Sequence, residues 1–257
     1  MIYSIDPALF KKYPNYVRGV IVAKRLINIE SPIDEVARML KSAQKTIRDR
    51  ADLEQVAAHP NIAAWREAYR AFGAKPSEYP SSIEAMIKRV RRGDELPYIN
   101  TLAAVCNSAS LRYIVPIGGH ALDDTIKTGV EASAGLREVD EPAKASTPNS
   151  ELRLGFATGD ENFTPFGTTS IEQPNAGEVI YSLGKTVLCR RWTWRQAEFT
   201  KLERKTTYAA INVDGLPPVS RDDVATIMQD LANLVSIYCG ATIEMKMLSE
   251  DNSVIEV

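Results

Sequence analysis

Hydrophobic spacing changes character partway along this chain, and that change constrains the fold more than any motif does. In the N-terminal third, after a β-branched run over residues 16–28 that fits a strand entering the core, apolar residues recur at helical intervals. Ile33, Val36, Ala37, Leu40 and Ala43 predict a helix over 32–50, with Pro32 suited to its first turn. A second helical block over 52–72 breaks at His59-Pro60, because proline disfavours helix in the residue before it and brings no amide donor. Ser82 is expected to cap a helix over 83–92, whose cationic end complements a helix C-terminus. In the C-terminal half the spacing is that of strands: 152–157, 178–183, 186–191 and 207–213 are short apolar runs, with turns at Gly159, Gly167, Gly177, Gly184 and Gly215. Ser220 then opens a last helix that stops at Gly240. The expected class is α+β, a β-rich sheet or open barrel flanked by helices, with an N-terminal strand and helices added.

Composition excludes several functions. A net charge of −2 over 257 residues leaves nucleic-acid binding to a local basic patch, not to wholesale basicity. Cys106, Cys189 and Cys239 are far apart and lack C-x-x-C spacing, so reduced, buried thiols are expected rather than disulfides or a zinc knuckle. Two histidines cannot build a histidine-rich metal site, and phosphate-loop, dinucleotide, zinc-protease and serine-hydrolase signatures are absent, so neither a metal nor a cofactor is expected. No apolar run is long enough to span a membrane and no leader pattern opens the chain, so a cytoplasmic location is expected.

Polar chemistry concentrates in two places. Residues 99–124 combine an apolar segment, Cys106-Asn107, Gly118-Gly119, His120 and Asp123-Asp124. The paired glycines allow close backbone approach and free amides beside His120, which makes His120 a candidate ligand contact, whereas His59, beside a proline in a connector, fits a structural role. The second place is Arg190-Arg191-Trp192-Thr193-Trp194-Arg195-Gln196. Arginine planes and indoles stack on bases and pair with phosphates; strand alternation would equally put Trp192 and Trp194 into the core, with Arg191, Thr193 and Arg195 on the other face. Cys106 and Cys189 lack a histidine or cation at a diagnostic spacing and fit buried small hydrophobes better than nucleophiles.

These two runs, in this order, resemble the editing (B3/B4) domain of the phenylalanyl-tRNA synthetase β subunit. In that family a P-I-N-N-V-V-D-(V/I)-T-N run precedes P-L-H-A-F-D; here Ile99-Asn100-Thr101-Leu102-Ala103-Ala104-Val105-Cys106-Asn107 and Gly118-Gly119-His120-Ala121-Leu122-Asp123 stand in those places. Asn100, Asn107, His120, Ala121 and Asp123 agree, while Cys106 stands for a threonine, Ala104 for an aspartate, Gly118 for a proline and Leu122 for a phenylalanine. The arginine-tryptophan run looks more like freestanding relatives of the domain. The resemblance covers residues 83–240 and implies one B3/B4-like domain over 1–257, with 1–80 a mainly helical extension packed on it. It further implies a deacylase that hydrolyses the ester of a mischarged tRNA in trans, with a non-catalytic tRNA- or amino-acid-binding module as the competing reading.

For such a site the expected catalytic residues are His120 and Asn107, and the expected substrate wall is Cys106, Gly118, Gly119 and Asn212, with Asp214 an alternative to Asn212 at the side-chain pocket. Arg190, Arg191, Trp192 and Arg195 are the expected tRNA surface. An activated ester needs positioned water and oxyanion stabilisation more than a strong nucleophile, so amides near Gly118-Gly119 could supply the anion-stabilising surface.

Overall fold

The computed structural model describes residues 1–123 and 151–256. Asp124, the last residue of the polar stretch over 99–124, lies outside the described residues. Among the described residues, six helices and ten strands form an α+β fold with two open sheets.

The chain begins with β1 (Ile2–Ile5), a short helix α1 (Pro7–Lys12) and β2 (Val17–Lys24). Helices α2 (Asp34–Asp49), α3 (Pro60–Ala71), α4 (Ser82–Arg91) and α5 (Thr101–Tyr113) follow. Their boundaries have local causes. The His59 ring caps α3, its Nδ1 accepting the Asn61 amide at 3.3 Å, and Pro60 takes the first helical position where no donor is needed. Ser81, not Ser82, caps α4, its Oγ accepting the Glu84 amide at 3.4 Å. The Asn100 side chain caps α5 by accepting from Ala103 at 2.9 Å, and its Nδ2 donates to Leu202 O at 2.9 Å.

Strand β3 (Ile117–Ala121) precedes the undescribed segment, and β4 (Glu151–Phe156), β5 (Val179–Leu183), β6 (Thr186–Arg190), the two-residue β7 (Arg195–Gln196) and β8 (Tyr208–Gly215) follow it. Gly215, expected at a turn, instead ends β8, where an added Cβ would lie 2.6 Å from Val224 Cγ2. The last helix, α6 (Arg221–Cys239), has a complete Ser220/Asp223 capping box and stops at Gly240 with φ 60°, the left-handed conformation glycine adopts without strain. Strands β9 (Thr242–Leu248) and β10 (Val254–Glu256) close the described chain.

A six-stranded mixed sheet runs β10-β1-β4-β5-β6-β7, and a four-stranded antiparallel sheet runs β3-β8-β2-β9. Side-chain parity on the smaller sheet decides what each face meets. Ile21, Ala23, Ile211 and Val213 share a core with Leu40, Val90, Val105 and Leu231 of the helices. Val20, Val22 and Ala210 share the other core with Tyr3, Leu152, Tyr181 and Leu188 of the larger sheet. The result is α2, α4, α5 and the last helix, then the small sheet, then the large sheet, with α1 and α3 packed into the second core through Leu9, Phe10, Trp65 and Tyr69. Within residues 1–80, β1 lies between β10 and β4 and β2 between β8 and β9, so this segment contributes an interior strand to each sheet while its helices pack against them.

Candidate functional site

A cavity of about 200 Å³ opens on the face of the small sheet that looks towards the large one. Its residues come together through register. Arg18 pairs with Asp214 across β2 and β8, Val20 with Asn212, and on the far side of β8 Gly118 pairs with Asn212 and His120 with Ala210. Arg18, Gly118, His120, Asn212 and Asp214 therefore all project from one face, and all line the cavity.

Its floor is a buried polar network. The Arg18 guanidinium holds the Asp214 carboxylate with two bonds, Nε to Oδ1 at 2.7 Å and Nη2 to Oδ2 at 3.0 Å. Tyr16 donates its hydroxyl to the same Oδ1 and accepts from Trp192 Nε1 at 3.3 Å. Tyr3 donates to Asn212 Oδ1 at 2.6 Å and stacks on Tyr181, ring centroids 5.2 Å apart. The Tyr181 hydroxyl is buried and has no hydrogen-bond partner among the described residues, an orphan polar group in the cavity wall. Burial raises Tyr16 and Tyr181 well above the ordinary tyrosine value, so both stay protonated.

His120 is only 5% exposed and lies edge-on to Tyr181. Burial, with the Arg18 cation as a second cause, pushes its pKa down to about 3, which keeps the imidazole neutral at ordinary pH. Its Nδ1 meets Thr200 Oγ1 at 3.1 Å, and the same hydroxyl reaches the Ala197 carbonyl at 3.4 Å. A neutral His120 offers one ring nitrogen as a hydrogen-bond donor and the other as an acceptor, and it resists taking up a further proton.

The paired glycines divide their roles. Pro116 O accepts from Asp214 and Leu122 donates to Tyr208, so even-numbered residues of this stretch bond β8 and Gly119 turns its main chain to the open edge. There its carbonyl accepts Gln196 Nε2 at 3.0 Å. An added Cβ at Gly118 would meet nothing within 4 Å, whereas at Gly119 it would lie 2.8 Å from Leu202 Cδ1. Gly118 faces open cavity; Gly119 faces packed chain.

The arginine-tryptophan run makes the opposite wall, but not as an alternating strand. β6 ends at Arg190, and Arg191 and Trp192 both have left-handed backbones, φ 49° and 62°, which redirects every following side chain. Trp192, 1% exposed, packs edge-on against Tyr13, Tyr16 and Trp65. Arg190 is fixed by Glu178, Nε to Oε2 2.8 Å, and by Glu172, Nη1 to Oε2 2.8 Å. Arg191 pairs with Glu178 at 3.2 Å and lies over the Tyr79 and Trp194 rings. The expectation of a solvent-facing surface at Arg190, Arg191 and Trp192 is corrected: all three are buried, held by the buried Glu178, the half-exposed Glu172 and aromatic rings. Arg195 stays partly exposed at the cavity rim.

Cys106 and Asn107 are also displaced from the cavity. They lie on α5, which packs on the helix side of the small sheet, and Cys106 belongs to that core at 4% exposure. The sheet itself separates them from His120. Cys189 does line the cavity, but burial pushes its thiol up to about 12, far from thiolate chemistry. Sequence reasoning missed Arg18, Tyr3, Tyr16 and Tyr181. The signal for Arg18 was a cation inside a β-branched, otherwise apolar run, where a charge requires a buried partner. Among the described residues no cluster of histidine, cysteine and carboxylate side chains could hold a metal, and no helix is long and apolar enough to cross a membrane.

Residues 64–240 match the B3/4 domain family, beginning earlier than the stretch from residue 83 on which the sequence resemblance rests. No curated protein matches the chain. Among solved structures, an N-terminal fragment of the phenylalanyl-tRNA synthetase β subunit from Pyrococcus horikoshii is similar, at 12% identity and a TM-score of 0.43, over 96% of this chain and 54% of that one. The chain therefore spans about half the length of that fragment.

Proposed function

The chain belongs to the B3/4 domain family, and from that premise we propose that the cavity binds the aminoacyl group of a mischarged tRNA and hydrolyses its ester. The observation that carries this reading is the pairing of open space at Gly118 with a neutral His120 in one buried cavity. The aminoacyl group occupies the space before Gly118. His120 Nε2–H donates to the ester carbonyl oxygen, where negative charge develops as water adds. The acyl carbon to ribose oxygen bond then breaks, giving a free amino acid and a tRNA with its terminal hydroxyl restored. Water is positioned rather than strongly deprotonated, since the His120 ring resists protonation, and an activated ester tolerates that. Asn212 and the Arg18–Asp214 pair form the polar floor beneath the amino acid.

Release of amino acid from a panel of mischarged tRNAs, beginning with tyrosine on tRNA specific for phenylalanine, tests the proposal. Turnover that falls at least tenfold in His120→Ala supports it; no ester loss above buffer across the panel overturns it. The same depressed His120 pKa also favours a second reading, a module that binds amino acid or tRNA without turnover, because the cavity lacks a group poised to take a proton near pH 7. Saturable binding without hydrolysis would select that reading.

A further inference from the structure

We infer that Phe166 is a stacking platform for an unpaired RNA base at the mouth of the cavity, an inference that rests on the tRNA reading above. Phe166 is 50% exposed, a large apolar ring left in water at the tip of a tight turn. The turn is held from every side. Thr168 N donates to Pro165 O at 3.1 Å, and Gly167, with φ 78°, takes the left-handed position that such a turn requires. Phe166 N donates to Gln196 O at 3.0 Å, Arg195 Nη2 donates to Phe166 O at 3.0 Å, and Gly167 N donates to Glu198 Oε2 at 2.7 Å. Gln196 and Arg195 line the cavity, so the main chain that carries the ring is fastened to its rim.

A single exposed apolar residue is ordinary; one presented on a backbone this constrained is pre-organised, and binding to it immobilises little additional chain. The charge beside it selects the partner. Arg190 and Arg191 are neutralised by Glu172 and Glu178, but Arg195 has no carboxylate partner among the described residues. Its guanidinium lies 5.9 Å from the centre of the Trp194 ring. An aromatic face, an indole and an unneutralised guanidinium together suit a base with its phosphate, the chemistry of a single-stranded RNA end, better than an acidic or aliphatic surface. The base stacks on Phe166 while the group esterified to its ribose reaches inward past Arg195.

The test uses the full chain and Phe166→Ala, Phe166→Leu, Phe166→Trp and Arg195→Ala, changes at one exposed and one partly exposed side chain chosen to leave folding intact. Fluorescence anisotropy measures binding of a short single-stranded RNA ending in an unpaired adenosine, and hydrolysis is followed on both RNA-linked aminoacyl esters and small amino acid ethyl esters. Phe166→Ala and Phe166→Leu should each weaken RNA binding about tenfold, Phe166→Trp should retain it, and Arg195→Ala should lower the salt dependence by about one counterion. Ethyl ester turnover should be unchanged in the Phe166 variants. No RNA binding by the natural chain, or equal affinity in the Phe166 variants, overturns the platform. Phe166-dependent RNA binding with no hydrolysis of either ester would instead overturn the catalytic reading alone.

Discussion

Arg18 and Asp214 face each other directly across β2 and β8, and their two bonds, 2.7 and 3.0 Å, close a planar ion pair beneath the cavity. Neither is more than 3% exposed. Taking both charges out of water is expensive, and their geometry with Tyr16 offsets that cost only while the pair is complete. The pair connects sheet register to site shape, since a slip of β2 against β8 by one residue would put Arg18 on the opposite face from Asp214.

Removing one partner should therefore cost more than removing both. Arg18→Met or Asp214→Leu alone is expected to destabilise the fold by about 3–5 kcal/mol, and the double variant by clearly less than their sum. Urea unfolding of the four proteins measures the coupling. Additive losses would show that the two charges do not compensate one another.

Gly118 offers a way to fill the cavity without disturbing its walls. With nothing within 4 Å of an added Cβ and no left-handed backbone, Gly118→Val should keep stability to within about 1 kcal/mol while abolishing aminoacyl ester turnover. Gly119→Ala should behave in reverse, pressing on Leu202 at a cost of about 1 kcal/mol and leaving the cavity open. Parallel unfolding and turnover assays separate them. A fully active Gly118→Val protein would move the substrate away from β3.

What could be read from the sequence was local. Ser220, Asp223 and Gly240 mark α6 because caps act within a turn of the residues that make them, and Pro60 marks α3 for the same reason. His120 and Asn212 stand at positions the family pattern points to and Gly118 at a departure from it, and all three line the cavity. Arg18 was not, because its partner lies 196 positions away and only strand pairing joins them. Asn107 and Cys106 stand close to His120 in sequence, yet a helix followed by a strand places them on opposite faces of one sheet. The Arg190–Trp192 surface was misplaced because period-two alternation presumes a continuous strand, and two left-handed residues end it. β1, β9 and β10 escaped notice because their pairing partners are distant in the chain.

His120 gives a pH signature of definite sign. Its folded pKa, about 3, lies below the ordinary value of 6.5, so between those values the unfolded chain binds the additional proton. Stability from this group is fully present above pH 6.5 and is lost as pH falls towards 3, by on the order of 3–5 kcal/mol at most. His59 is lowered too, by burial and the Arg50 cation, and adds in the same direction. With only two histidines in the chain, NMR titration distinguishes them: the His120 ring should not titrate between pH 5 and 8. An inflection near 6.5 for His120 would make it a solvated base and restore general-base catalysis.

The arginines of the cavity wall should separate by function. Arg190, with its side chain 9% exposed, is clasped by Glu178 and Glu172, and Arg191 shares Glu178 while stacking on Tyr79. Deleting either leaves Glu178, itself buried, short of a counter-charge. Arg190→Ala and Arg191→Ala are therefore expected to cost about 2–4 kcal/mol, measured by denaturant unfolding. Arg195→Ala removes no ion pair and only one bond to a main-chain oxygen, so its cost should stay near 0.5 kcal/mol. An Arg190→Ala protein as stable as the natural chain would show that the Glu178 network does not hold the wall, and would return Arg190 to the candidate RNA surface.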